Sequence, residues 1–290
     1  MNLKELEPAQ IIKEMSLQEK LGQLMMIGFN GQRLTAELAE MISKYNVGGI
    51  IYFARNIEIP EQVARLSSEI QRVSLESNSI PALISADEEG GVVTRVKGMT
   101  HMPGLMAIGA TGDYQEAFKA AKTAGNQLKY LGINMNLAPV LDINNNPENP
   151  VIGVRSFGSD PFEVSKFGKK YIAGLQEAEV VACGKHFPGH GDTSVDSHND
   201  LPVIEYGLDR LVEVELRPFK EAINAGIDSI MTAHIAYPEL TSEVGLPATL
   251  SKKILIGILR EKLGFKGMII TDCMEMNGIV GTYGTIPAGV

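Results

Sequence analysis

Short apolar runs recur along the chain, and between them lie longer stretches whose apolar positions repeat at helical spacing. The first periodic stretch, near residues 6–21, predicts a helix. Residues 24–29 form an apolar run that ends in Asn30-Gly31, a strand followed by a turn. A helix is predicted over 36–45 and a second strand over 47–53. A helix over 61–75 leads to a third strand, 81–86, which ends in Asp87-Glu88-Glu89-Gly90-Gly91. Residues 114–131 are helical in pattern. The fourth strand, 134–143, runs into the polar loop NNNPENPVIGVRSFG, and Pro161 suits the first position of a helix. The apolar run 180–182 is the fifth strand, and a helix over 208–225 precedes a sixth strand at 228–235. Ser251 is placed to cap a helix, and the seventh strand, 267–271, stops at Asp272.

Seven strands alternating with helices predict a parallel sheet covered on both faces. A closed β/α barrel and an open doubly wound sheet both satisfy that pattern. Polar residues stand at the ends of several different strands: Asp87, Arg155, Lys185 with His186, His234 and Asp272. A barrel assembles its site from several strand ends in this way, whereas an open sheet gathers its ligand groups at one switch point. The dinucleotide fingerprint and the phosphate loop are absent, and no internal repeat is evident. The expected fold is therefore α/β, a (β/α)8 TIM-type barrel, with residues 1–290 as one catalytic barrel domain. The chain stops soon after the seventh strand, so the C-terminal end of the barrel is expected to be missing. An unpaired edge would then leave the chain less stable than a closed barrel.

Composition adds mainly exclusions. At 44% hydrophobic and 21% charged, with no biased tract, the chain is of the ordinary soluble globular kind. A net charge of −9 and the lack of any basic run argue against a nucleic-acid partner. Two cysteines, Cys183 and Cys273, are too few for a disulfide framework and are expected as buried free thiols. The N-terminal segment is charged and amphipathic, unlike a secretory signal, and no window is apolar enough to span a membrane. A cytoplasmic location is expected, with a secreted or lipid-anchored parent left open.

The chemistry concentrates in residues 183–202, CGKHFPGHGDTSVDSHNDLP, which hold three of the five histidines. Asp196 and His198 lie two apart, and a carboxylate bonded to one ring nitrogen orients an imidazole for proton transfer. Asp272, at a strand mouth, suits a nucleophile or charge stabiliser, and equally a helix cap. Asp87 can accept two neighbouring sugar hydroxyls and Arg95 can add a donor fork, although the two also read as a surface ion pair. Arg155 and Lys185 are cations expected to face inward. His101 and His234 read as structural histidines. His186, His190, Asp192, Asp196 and His198 are acceptable metal ligands, but their spacing matches no standard zinc pattern and the chain lacks HExxH. No metal or cofactor is expected.

Four motifs together resemble glycoside hydrolase family 3, and within it the β-N-acetylglucosaminidase (NagZ-type β-hexosaminidase) branch. They are DEEGGVVTR at 87–95, APVLDINNNP…IGVRSFGSDP at 138–161, KHFPGHGDTSVDSH at 185–198 and ITDCMEM at 270–276. PATLS at 247–251 also fits, and the third motif separates this branch from the family's β-glucosidases. The resemblance implies a barrel catalytic domain and retaining, two-step hydrolysis of GlcNAc from peptidoglycan fragments, typically GlcNAc linked to anhydro-N-acetylmuramic acid. It implies Asp272 as nucleophile, His198 as general acid/base and Asp196 as its dyad partner. It also implies Asp87, Arg95, Arg155, Lys185 and His186 as the residues that hold the terminal sugar. Glu88 departs from the branch, which often has glutamine or histidine there. Alternatives on the same site are a β-glucosidase or a GlcNAc phosphorylase. A metal-dependent barrel hydrolase and a non-catalytic sugar-binding barrel are the readings from other classes.

Overall fold

The computed structural model describes residues 7–289. Among these, seven parallel strands pair in chain order. They are β1 (Met26–Ile27), β2 (Gly49–Tyr52), β3 (Leu83–Ala86), β4 (Met135–Asn136), β5 (Val181–Phe187), β6 (Ser229–Thr232) and β7 (Met268–Thr271). Helices fill every crossover, so the sheet curls as a TIM-like α/β barrel with β1 and β7 each paired on one side only among the described residues.

The alternation along the strands separates two apolar layers. Ile50, Ile84, Ala182 and Ile230 face the helices and join a core with Val63, Leu66, Phe167 and Leu175. Their neighbours turn inward, where Met135, Leu137, Cys183 and Met231 form a smaller cluster flanked by half-buried Ile51, Met268 and Ile270. The inner cluster is the floor beneath the strand ends.

Several boundaries differ from the sequence pattern for identifiable reasons. The fourth strand shrinks from 134–143 to Met135–Asn136 because Pro139 has no N–H to give the ladder. The rest of that run stays pinned to β5 by Cys183 N–H to Ala138 O (2.9 Å) and Lys185 N–H to Pro139 O (3.1 Å). Those bonds extend β5 through Phe187, so Lys185 and His186 sit on a strand and not in the loop expected after residue 182. The helix expected over 208–225 breaks into Leu208–Glu213 and Leu216–Asn224. Pro218 is the cause, since its ring cannot sit against the Val214 carbonyl four residues earlier. The first helix likewise splits into Pro8–Glu14 and Leu17–Gln23, where Ser16 caps the second by accepting the Glu19 N–H at 3.2 Å. Leu6 lies outside the described residues. The helix Lys253–Lys262 carries i→i+5 bonding, and Ser251 Oγ accepts the Ile254 N–H ahead of it. Cys183 is buried as expected, but Cys273 is exposed because its strand has already ended.

Candidate active site

The exits of β3, β4, β5, β6 and β7 deliver polar side chains to one end of the barrel. Lys185, 1% exposed, is held between two carboxylates: its Nζ lies 2.6 Å from Asp87 Oδ1 and 2.7 Å from Glu89 Oε1. Glu89 also receives both arms of Arg155, Nε to Oε2 and Nη2 to Oε1, each at 2.8 Å. Two anions and two cations thus interlock across β3, β5 and the Gly153–Arg155 turn. Burial alone would raise the Glu89 carboxyl, but Lys185 and Arg155 outweigh it and hold it at about 2. Burial would strip Lys185 of its proton, yet Asp87 and Glu89 reverse that and keep it a cation.

A second carboxylate organises the histidines. Asp142, fully buried beyond β4, accepts the backbone N–H of His190 (2.7 Å) and faces His186 Nδ1 at 2.7 Å. Burial pushes its carboxyl up, and the neighbouring His186 and His190 pull it below its ordinary value. The ring of His186 is therefore fixed at the end of β5. The register shift between Gly184 and Phe187 is the kind of irregularity that re-aims a side chain there. His190 is spent inside the loop, with Nδ1 2.8 Å from Thr193 Oγ1 and Nε2 2.9 Å from Ser197 Oγ. Burial, then the charge of His186, bring its pKa down to about 4. Gly191 has no alternative, since a Cβ there would collide with the Ile143 carbonyl.

Asp272 stands half-buried where β7 ends. Its N–H donates to Thr232 O (3.1 Å) and its Oδ1 accepts the Cys273 N–H (2.8 Å). Burial raises its carboxyl, but the fields of His186 and His234, the Cys273 N–H and Lys185 bring it below its ordinary value. His198 lies at the rim with its side chain 62% exposed, Nδ1 2.8 Å from Asp196 Oδ1. Burial raises the Asp196 carboxyl, and the His198 N–H and ring outweigh it. This rim loop is fastened to the segment after Asp272 by the Gly278 N–H donating to Ser197 O at 3.1 Å.

Asp87, Arg155, Lys185, His186 and Asp272 thus gather at the strand ends, with the Asp196–His198 pair on the loop above. Arg95 differs: Asp87 pairs with Lys185 instead, and among the described residues the Arg95 guanidinium makes no ion pair. The Arg95 backbone N–H donates to Glu88 Oε2 (2.8 Å), so Glu88, whose pKa burial raises, ties off the loop. His101, exposed, braces that loop at Gly91 O. The sequence reading missed Glu89 and Asp142. Each is a carboxylate beside an apolar strand run, a place that requires a buried partner. Among the described residues no group of three or more His, Cys, Asp or Glu side chains is arranged to hold a metal, and none of the helices is long and apolar enough to cross a membrane.

Comparison with known proteins gives the same picture. The chain is 41% identical over 274 residues to β-hexosaminidase A of Pseudoalteromonas piscicida, covering 89% of this chain and 46% of that one. It is 36% identical to a β-hexosaminidase of Thiobacillus denitrificans, covering 90% and 73%. A family 3 β-N-acetylglucosaminidase structure from Paenibacillus sp. str. FPU-7 superposes with a TM-score of 0.93 at 50% identity, covering 94% of this chain and 52% of that one. NagZ from Neisseria gonorrhoeae superposes at 0.80 with 34% identity, covering 87% and 74%. The chain spans about half the length of the Pseudoalteromonas and Paenibacillus proteins it matches. Residues 16–289 match the glycosyl hydrolase family 3 N-terminal domain. With that match lying over a TIM-like barrel whose strand ends carry this cluster, the chain belongs to glycoside hydrolase family 3.

Proposed function

We propose that the protein is a retaining β-N-acetylglucosaminidase that removes terminal β-linked GlcNAc from peptidoglycan fragments. The observation that carries this reading is Lys185 locked between Asp87 and Glu89, with His186 beside it and Asp272 two strands away. Such a cluster offers fixed acceptors and donors to the hydroxyls of one sugar ring. The Paenibacillus relative, a β-N-acetylglucosaminidase, supports the sugar assignment, and the Pseudoalteromonas relative supports the coarser one, a β-hexosaminidase. The peptidoglycan source rests on the branch that the 185–198 motif resembles.

Asp87, Arg155, Lys185 and His186 hold the terminal ring, and Arg95 approaches it from the β3 exit loop. Asp272, kept ionised, attacks the anomeric carbon as the glycosidic bond breaks, giving a covalent glycosyl-enzyme. His198 gives its proton to the departing oxygen, while Asp196 stabilises and orients the ring. Water then enters, gives a proton back to His198 and displaces Asp272 with net retention. The exposed rim position of His198 suits a group brought onto the bond by loop closure over the sugar.

The test is chromophore release from an aryl N-acetyl-β-glucosaminide beside the matching aryl β-glucoside, with and without phosphate. Preferential release from the first with free GlcNAc as product is expected. Preference for the glucoside, or sugar 1-phosphate formed in phosphate, would replace this reading with the β-glucosidase or the phosphorylase.

A further inference from the structure

We infer that His234 is a positioning residue for the nucleophile turn: its imidazole grips the carbonyl of Cys273, and the hydroxyl of Thr249 fixes the tautomer that makes this grip possible. The inference rests on the proposed role of Asp272 and adds a residue that the proposed mechanism leaves unused.

His234 follows β6 and is fully buried. Its Nε2 lies 2.9 Å from Cys273 O and its Nδ1 lies 2.9 Å from Thr249 Oγ1. A carbonyl only accepts, so Nε2 carries the hydrogen. Burial lowers the pKa of this imidazole against the pull of Asp272, and a neutral ring leaves Nδ1 as an acceptor. Thr249 must then donate to Nδ1. Its oxygen can in turn accept from Thr232 Oγ1 at 3.0 Å. The Ala233 carbonyl, 2.9 Å from Thr249 Oγ1, competes for that single hydroxyl proton. Losing the proton to Ala233 would leave Nδ1, on a ring cut off from water, without a donor.

The result is a short chain, Thr232 to Thr249 to His234 to Cys273, that joins the ends of β6 and β7. The nucleophile turn is then pinned at three points. Asp272 N–H holds Thr232 O, Cys273 N–H holds the Asp272 carboxylate, and Cys273 C=O is held by His234. Without the third, residue 273 can rotate and take the carboxylate off the line of attack.

Two readouts on the purified protein test this. The ring nitrogens of His234, followed by NMR after histidine labelling, should report the Nε2–H tautomer in wild type, with the Nδ1 resonance shifting in Thr249→Val as its lone pair loses the hydrogen bond donated by Thr249. This readout stands even if the protein releases no GlcNAc, an outcome that would sink the functional reading alone. In turnover of the aryl N-acetylglucosaminide, His234→Leu should lower kcat by about 10²-fold with KM unchanged, the size expected for a reacting group displaced by about 1 Å. His234→Gln, whose amide can reach Cys273 O, should recover much of the rate, and Thr249→Ser should match wild type where Thr249→Val does not. If His234→Leu fails to fold, the Thr249 pair carries the kinetic comparison. An Nδ1–H tautomer in wild type would overturn the inference. So would wild-type kcat in Thr249→Val, or equal loss in the leucine and glutamine variants.

Discussion

Replacing Glu89 with glutamine should be the most costly single change at this site. The carboxylate is 1% exposed and serves Lys185 and Arg155 together, so its removal leaves two buried cations with Asp87 as their remaining anion. Lowering the carboxyl from 4.5 to about 2 corresponds to roughly 3 kcal/mol of stability at neutral pH. That agrees with the roughly 3–5 kcal/mol typical of breaking a buried pair from one side. Glu89→Gln should therefore lower Tm by roughly 5–10 °C at pH 7. Because the folded-state pKa lies below the unfolded one, this contribution is full above pH 4.5 and is lost as pH falls toward about 2. The penalty of the variant should accordingly shrink across that interval. Urea unfolding of wild type and variant, at pH 7 and at the lowest pH where both still fold, measures both effects. A difference under about 1 kcal/mol at pH 7, the scale of an exposed pair, would refute the interlocked arrangement.

Asp272→Ala should reduce turnover by more than about 10³-fold with the unfolding midpoint little changed, checked by kinetics beside urea melts. His198→Ala should slow substrates with poor leaving groups by about 10²–10⁴-fold and activated aryl glycosides much less; equal losses would remove the acid role. Asp142→Asn should raise KM and lower kcat together, because the His186 ring loses the acceptor that sets its angle. Iodoacetamide should modify only Cys273 in the folded protein, since Cys183 is buried with its thiol pushed up to about 12; mass spectrometry before and after denaturation counts the labels.

The strand ends were legible in the sequence because each apolar run closes on a residue that has no business in a core. Asp87 and Asp272 follow their runs directly, and placing them at barrel mouths needed only the alternation of elements. Glu89 was hidden by its neighbours, since in Asp-Glu-Glu-Gly-Gly nothing local says which carboxylate turns inward. The answer depends on Lys185, nearly a hundred residues away. Asp142 was hidden inside an apolar run for the same reason: its partners, His186 and His190, come from β5 and the loop that follows it. The histidine cluster misled in the opposite direction. Its members are close in sequence, yet the chain turns His186 toward Asp142, His190 into its own loop and His198 to the surface.

The bond from Gly278 to Ser197 bears on any attempt to move this chemistry to another scaffold. A Cβ at residue 278 would lie 3.0 Å from Ser197 O and 3.4 Å from the Cβ of His234, so any side chain there has to push the mooring carbonyl aside. The rim loop and the short helix Asn277–Val280 after β7 therefore form one transplantable cassette. A graft of residues 185–198 alone would arrive without its landing place, and its imidazole would wander over whatever surface the host happened to offer.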